Sequence, residues 1–227
     1  MWKIDFLTHN WGIKRAVNQK IAKNLDKLNG KVADFGCGTR PFEDSILQFA
    51  EQYVGIDWAN SIHDTQADVI ADLNKPLDIA SESFDAVVSF EVLEHLCEPT
   101  VMLSEAHRVL KKEGGVILLS VPFQWWVHEA PWDYQRYTRY GLFYLFDKCG
   151  FVDIEVQETT GFWLLWILKL NYQLVRLVRG PRLLRYVIKA VLIPFWFVSQ
   201  WLAIALDNYW TEKNETAGYV VLARKVA

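Results

Sequence analysis

Val32-Ala-Asp-Phe-Gly-Cys-Gly-Thr-Arg-Pro41 decides the fold. Residues 32–35 form a short apolar run interrupted by one carboxylate, the pattern of a strand buried in a parallel sheet. Two glycines one residue apart then supply a tight turn, and Pro41 leads on towards a short helix. Upstream, Ile13, Val17, Ile21, Leu25 and Leu28 recur at spacings of four, four, four and three. That spacing predicts one amphipathic helix over 11–28, closed by Asn29-Gly30 and packed on the first strand.

Downstream the alternation continues. Tyr53-Val-Gly-Ile-Asp57 reads as a second buried strand ending in a carboxylate, residues 67–73 as a third ending near Asp72, and Phe84-Asp-Ala-Val-Val-Ser-Phe90 as a fourth. Residues 100–110 place Val101, Leu103, Ala106, Val109 and Leu110 on one helical face, Gly114-Gly115 stops that helix, and Val116-Ile-Leu-Leu-Ser-Val121 is a fifth strand. A helix over 140–148 and strands over 151–156 and 219–224 follow. Strands separated by helices imply right-handed crossovers. The expected fold class is therefore α/β: a doubly wound, Rossmann-like, mostly parallel seven-stranded sheet with helices on both faces, plus an apolar helical insertion before the last strand. Residues 1–161 and 207–227 are assigned to the sheet domain and 162–206 to the insertion. Ligands of such sheets sit outside the carboxyl ends of the strands.

With 227 residues the chain suits one α/β domain with an insertion. Its net charge of −3 hides a segregation, because residues 162–206 hold Lys169, Arg176, Arg179, Arg182, Arg185 and Lys189 and no acid, leaving −9 on the remainder. Those basic residues are interleaved with Leu and Trp rather than lining a groove, which argues against nucleic acid as a partner. The three cysteines, Cys37, Cys97 and Cys149, lie far apart with no metal-ligand spacing. Reduced thiols, a cytoplasmic setting and no metal site are expected. The N-terminus lacks the apolar stretch of a signal peptide, so no export is expected.

Two chemistries compete for the glycine turn. A dinucleotide site wants GxGxxG, but here Pro41 stands where the third glycine would be, and no phosphate loop is present. Asp57 lies 23 residues after Asp34, a spacing suited to binding ribose hydroxyls. The turn thus favours a nucleoside without a phosphate chain.

Val32-Ala-Asp-Phe-Gly-Cys-Gly38, Val54-Gly-Ile-Asp57, Ala71-Asp72-Leu73, Phe84-Asp-Ala-Val-Val-Ser-Phe-Glu-Val-Leu-Glu-His95 and Leu110-Lys-Lys-Glu-Gly-Gly-Val-Ile-Leu-Leu-Ser-Val-Pro122 resemble, in order, the successive motifs of class I S-adenosylmethionine-dependent methyltransferases. The resemblance covers residues 31 to about 158 and the final strand. It implies that Asp34, Gly36, Cys37 and Gly38 surround the methionine end of S-adenosyl-L-methionine and that Asp57 binds the ribose. It also implies that Trp58 lies against the adenine, that Asp72 and Leu73 flank its amino group, and that Ser89 and Phe90 line the methyl-donor side. A sulfonium and an ammonium suit an acid-lined site better than a basic cradle. The competing reading makes Asp34 and the glycines mere turn formers, and Asp72 a cap before Leu-Asn-Lys-Pro.

The acceptor side falls in Pro122-Phe-Gln-Trp-Trp-Val-His-Glu-Ala-Pro-Trp-Asp-Tyr-Gln-Arg-Tyr-Thr-Arg-Tyr140, which leaves the fifth strand at its carboxyl edge. Its His-Glu-x-Pro-x-Asp-Tyr-x-Arg-Tyr-Thr pattern resembles a loop found in a subset of these methyltransferases, many encoded with surface-polysaccharide genes. His128 is the candidate base and Glu129 its orienting partner, with Trp126, Asp133, Arg136 and His95 completing a substrate loop. The alternative is a lid that His128 and Arg136 hold together through Asp133 and Glu129, and a His95 that only bonds backbone.

Residues 162–206 bear on where the chain works. Lys169, Gln173 and Arg176 recur at helical spacing among Leu and aromatics, an interfacial pattern, and residues 190–206 carry no charge over 17 positions. Two spans would place four basic residues on the far side, against the positive-inside tendency. The expectation is a Trp-rich hairpin lying in the cytoplasmic leaflet, in peripheral membrane contact, with O-methylation of a lipid-linked or membrane-proximal acceptor such as a glycan or a prenylated precursor. The alternatives are a soluble small-molecule methyltransferase using the insertion as pocket or homo-oligomer interface, and a non-catalytic S-adenosylmethionine-binding protein.

Overall fold

The computed structural model describes residues 1–59 and 65–226, and the chain divides into two compact units. The first comprises Met1, residues 20–157 and residues 218–227. It is built on a seven-stranded sheet of order β3-β2-β1-β4-β5-β7-β6. The strands are β1 (Lys31–Phe35), β2 (Gln52–Asp57), β3 (Val69–Ile70), β4 (Ala86–Phe90), β5 (Val116–Pro122), β6 (Phe151–Glu158) and β7 (Gly218–Lys225). Strands β1, β2, β3, β4 and β5 pair in parallel with their neighbours, and β7 runs antiparallel to β5. The order reverses at β1, between β2 and β4, so the carboxyl ends of these strands border the crevice where ligands of doubly wound sheets bind. β4 and β5 are buried along their whole lengths, as continuous apolar runs in a parallel sheet require.

Helices α2 (Glu43–Ile46), α3 (Pro99–Val109) and α4 (Arg139–Lys148) belong to this unit. Pro99 opens α3, and Met102, Leu103, Ala106 and Val109 are its buried stripe. Thr138 caps α4 by accepting the Gly141 N–H. The core joins Phe35, Ile56, Val87, Ile117 and Val221 from the sheet to Leu103, Ala106 and Phe146 from the helices.

Two expectations need correction. The third strand is only Val69–Ile70, because the Asp68 carboxylate takes the Gly55 N–H at 2.8 Å and Arg40 at 2.6 Å, so side-chain bonds replace a longer edge ladder. The first helix, α1 (Trp11–Ala22), stops early, where Asn24 donates its amide to the Lys20 carbonyl and a 3-10 turn over Leu25–Lys27 follows.

The second unit comprises residues 2–19 and 158–217. It therefore takes in most of α1 and reaches beyond the expected 162–206 at both ends. Its helices α5 (Phe162–Val175) and α6 (Arg182–Tyr209) form a hairpin. The Asp207 carboxylate on α6 accepts the N–H groups of Gly161, Trp163 and Leu164 and so caps α5. Gln200 accepts the Gly12 N–H at 2.8 Å and donates to the Thr8 carbonyl, while Asn171 donates to the His9 carbonyl. Phe6, Trp11, Phe197 and Trp201 close the same junction through ring contacts. Helix α6 is 28 residues long and has the length and composition to cross a membrane. On it Leu183, Val187, Val191, Val198 and Leu202 are exposed.

Candidate active site

The turn after β1 is fixed by its hydrogen bonds. Gly36 and Cys37 donate to the Ile56 carbonyl at 2.7 and 3.2 Å, and Gly38 donates to Asp57 Oδ2 at 2.8 Å. Gly36 has φ +84°, and a Cβ there would meet Val92 Cγ2 at 2.4 Å, so glycine is required both for the conformation and for the space. Gly38 has φ +50° and open space beside it, which leaves backbone exposed to a ligand. The other Asp57 oxygen accepts the Trp58 N–H at 2.8 Å, so one carboxylate ties the ends of β1 and β2 together.

Asp34 is buried on β1, with Oδ2 accepting the Tyr53 hydroxyl proton at 2.5 Å. Burial raises its pKa from 3.8 to about 7, against the lowering by the Tyr53 hydrogen bond and by Arg40. Burial and nearby carboxylates push the Cys37 thiol up to about 12, which makes it a packing group. Ser89 donates to the Phe35 carbonyl at 2.8 Å, and Phe90 packs on Phe42. Asp72 bonds Asn74 and pairs with Lys75 at 3.2 Å. It thus has the turn contacts that the capping reading foresaw. Leu73 is buried in the core.

A second cluster forms just past β4. The turn over Leu93–His95 places Glu94 and His95 opposite the loop that follows β5. Glu94 is fully buried, and among the described residues neither carboxylate oxygen has a hydrogen-bond partner. Its Oε1 lies 3.6 Å from His95 Nε2 and 4.0 Å from His128 Nε2. His95 Nδ1 lies 2.7 Å from the Trp132 carbonyl oxygen, which assigns that nitrogen the proton and leaves Nε2 facing Glu94. Glu91, at φ +56°, accepts the Ser120 hydroxyl at 2.7 Å, a left-handed residue at a strand end.

Asp133 organises the loop. Its carboxylate binds both Arg136 terminal nitrogens at 2.5 and 2.7 Å and accepts the His128 N–H at 2.8 Å. Its Oδ2 is also 3.2 Å from His128 Nδ1. Though burial opposes it, the Arg136 and His128 contacts hold Asp133 down at about 2. Burial lowers His128, with His95 and Arg136 adding to the effect. Here the expected pairing is corrected: Asp133, not Glu129, stands on the Nδ1 side of His128. Glu129, turned by φ +50°, brings Oε2 to 3.8 Å from His95 Nε2 instead. The Trp126 carbonyl accepts Arg136 at 2.9 Å, and its ring stacks on Trp125. Trp58 meets Trp132 edge to face at 5.5 Å, so the expected adenine wall and this loop are neighbours.

The structure thus brings Asp34, Gly36, Cys37, Gly38, Asp57 and Trp58 around one turn, and His95, His128, Glu129, Asp133 and Arg136 into a second cluster. Sequence reasoning missed Glu94 and Tyr53. Two acids three apart in Glu91-Val-Leu-Glu94, with His95 adjacent, were the available signal for the first, whereas only the register of β2 on β1 reveals the second.

Comparison with known proteins identifies the family. Residues 11–155 match the family model described as a methyltransferase domain, and the chain belongs to that family. The expected resemblance to the class I, S-adenosylmethionine-dependent methyltransferase family accords with that match. It is 32% identical over 111 residues to a ubiquinone biosynthesis O-methyltransferase of Xanthomonas oryzae, a match covering 44% of this chain and 46% of that one. A relative of the same name from Pseudomonas aeruginosa is 26% identical over 141 residues, covering 52% and 61%. The chain thus spans about half the length of the curated relatives it matches. Among solved structures, a Haemonchus contortus phosphoethanolamine N-methyltransferase with S-adenosylhomocysteine shares the fold at TM-score 0.57 and 18% identity, over 93% of this chain and 52% of that one. An Archaeoglobus fulgidus SAM-dependent methyltransferase does so at TM-score 0.56 and 16% identity, over 93% of each.

Proposed function

We propose that the chain transfers a methyl group from S-adenosylmethionine to a hydroxyl of a membrane-proximal or lipid-linked acceptor. The observation that carries the reading is the pair of clusters at the carboxyl ends of β1, β2 and β4: an acid-lined glycine turn suited to a cationic, phosphate-free nucleoside, and beside it a polar loop able to handle a proton. In this reading Asp34 and the turn amides hold the methionine end, Asp57 holds the ribose, and Trp58 stacks on the base. Asp72 and Leu73 flank the adenine, and Ser89 with Phe90 lines the donor side. The acceptor oxygen attacks the methyl carbon as the carbon–sulfur bond breaks and its electron pair returns to sulfur. The protein contributes chiefly by alignment and by removing the hydroxyl proton. His128 takes that proton at Nε2, with Asp133 orienting the ring through Nδ1 and steadying the imidazolium.

The membrane side of the proposal rests on the hairpin. Exposed Trp166, Leu183, Val187, Val191, Val198 and Leu202 alternate with exposed Lys169, Arg176, Arg179, Arg182, Arg185 and Lys189, which suits an anionic lipid surface. The curated relatives are named as ubiquinone biosynthesis O-methyltransferases, which accords with a hydroxyl acceptor.

The test is to incubate the purified chain with methyl-labelled S-adenosylmethionine and separated lipid and aqueous extracts. Label in an alkali-stable ether of the lipid fraction is expected. Label confined to the aqueous fraction would replace the acceptor class by a soluble small molecule. No label in either, with the cofactor bound, would leave a binding protein and refute catalysis.

A further inference from the structure

We propose that Glu94, His95 and His128 form a binding site for one first-row divalent cation, zinc being the reference ion. One ligand atom from each residue lies within 4.8 Å of the others. The decisive observation is Glu94. A carboxylate with no exposed surface, and with no hydrogen-bond partner for either oxygen among the described residues, is costly to ionise unless something supplies positive charge. Both imidazoles turn Nε2 towards that carboxylate, at 3.6 and 4.0 Å, distances too long for hydrogen bonds.

His95 is also held from behind in the way metal-bound histidines are. His95 Nδ1 sits on the Trp132 carbonyl at 2.7 Å, whereas His128 Nδ1 lies between the Asp133 carboxylate at 3.2 Å and Arg136 Nη2 at 3.4 Å. A backbone carbonyl is a usual outer partner of metal-ligating histidine and fixes the His95 tautomer that leaves Nε2 free; a proton on His128 Nδ1 shared with the neighbouring Asp133 carboxylate, the other usual partner, would do the same for His128. Bond lengths of about 2.0–2.1 Å would place the ligand atoms roughly 3.3 Å apart, so the carboxylate–imidazole gaps of 3.6 and 4.0 Å have to close by less than about an ångström and the imidazole pair, within 4.8 Å, by up to about 1.5 Å. The surroundings suit a cation. Glu91, Glu129 and Asp133 add three carboxylates nearby, against the guanidinium of Arg136, which Asp133 engages and which also lies 3.4 Å from His128 Nδ1. Two imidazoles and one carboxylate favour zinc and its first-row neighbours over magnesium, which prefers oxygen. Three protein ligands also leave a coordination position open.

The inference changes one step of the reaction proposed above and rests on that proposal only there. With a cation bound, His128 Nε2 is a ligand and no longer a proton acceptor. An acceptor hydroxyl at the open position would be acidified by the cation and lose its proton to water, and its oxygen would then attack the methyl carbon as the sulfonium bond breaks. The site itself is testable without turnover.

The chain, freed of tags and dialysed against chelator, is titrated with Co²⁺ while visible d–d absorption is followed, and Zn²⁺ is then added to displace it. One cation per chain is expected. His128→Asn and Glu94→Gln should each weaken binding by at least 10-fold and Asp133→Asn by about 10–100-fold, while His107→Asn, outside the cluster, leaves it unchanged. Circular dichroism and retained S-adenosylmethionine binding certify the fold of each variant, and His128, at 23% side-chain exposure, is the variant best placed to fold normally. Absence of Co²⁺ absorption in the unmodified chain, or binding undiminished in folded His128→Asn, would overturn the proposal. Neither result bears on whether methyl transfer occurs.

Discussion

Asp34→Asn is the most informative single substitution, because it separates what a buried carboxylate costs the fold from what it does for the cofactor. The Asp34 side chain is buried and its pKa stands at about 7 against an ordinary 3.8. A raised folded-state pKa means that the folded chain binds the proton more tightly than the unfolded chain. The associated stability is fully present below pH 3.8 and is lost as the pH climbs to about 7. The gap corresponds to about 4 kcal/mol at 1.36 kcal/mol per pH unit. Asparagine keeps the shape and the acceptor for the Tyr53 hydroxyl but cannot ionise. In the cofactor-free chain the variant should therefore match the parent near pH 4 and exceed it at pH 8 by up to about 4 kcal/mol, roughly 10 °C in melting temperature for a chain of this size. Glu91 and Glu94 are also raised by burial, so both proteins lose stability with rising pH, and the difference between them isolates Asp34. The assay is urea unfolding followed by Trp fluorescence at pH 4, 6 and 8. A stability difference that does not change with pH would refute the reasoning.

The remaining predictions are direct. Gly36→Ala forces a Cβ into Val92 at φ +84° and should destabilise the chain by about 2 kcal/mol and abolish cofactor binding, read by thermal melting with and without S-adenosylmethionine. Asp133 has a lowered pKa, so its contribution is present above pH 3.8 and fades as the pH falls towards about 2; Asp133→Asn should lose about 2 kcal/mol at pH 7 and unfold less steeply with acid. Asp207→Ala removes the acceptor for three N–H groups at the start of α5 and should cost about 2 kcal/mol in urea melts, with a neutral result showing that the hairpin needs no cap. Changing Arg179, Arg182, Arg185 and Lys189 together to Gln should weaken sedimentation with anionic vesicles by roughly 1,000-fold, at about 1 kcal/mol per charge, and leave binding to neutral vesicles unchanged.

The sheet was legible because its strands are nearly continuous apolar runs, and β4 and β5 are buried throughout. Legibility failed where side chains compete with the backbone. Asp68 takes the Gly55 N–H and shortens β3, and Asn24 takes the Lys20 carbonyl as α1 ends. The glycine turn was readable because Gly36 and Gly38 are required by local conformation. Which acid serves His128 was not, because Glu129 and Asp133 are equally plausible by spacing and only the left-handed φ of Glu129 turns it towards His95. Likewise no local pattern pairs Gln200 with Gly12 across 188 positions or draws residues 2–19 into the unit of the hairpin.

The charge segregation visible in composition has a structural counterpart that links stability to ligand binding. Asp34 and Glu94 are buried, Glu91 is half-buried, and desolvation lifts all three above the ordinary carboxylate range, so the positive charge of Arg40 and Arg136 falls short of compensating them. Arg40 lowers Asp34 without offsetting its burial, and a basic residue closer in would repel a sulfonium and an ammonium. If the cofactor supplies the charge, it binds the ionised form of Asp34 more tightly, and below pH 7 it must release a proton on binding. At pH 6 a group with a pKa of about 7 is about nine-tenths protonated, so nearly one proton should appear in the buffer per cofactor bound. Calorimetry in two buffers of different ionisation heat measures that number directly. It should fall towards zero at pH 8 and be nearly abolished at pH 6 by Asp34→Asn; proton release unaltered by that substitution would assign the linkage to Glu91 or Glu94 and remove Asp34 from the cofactor site.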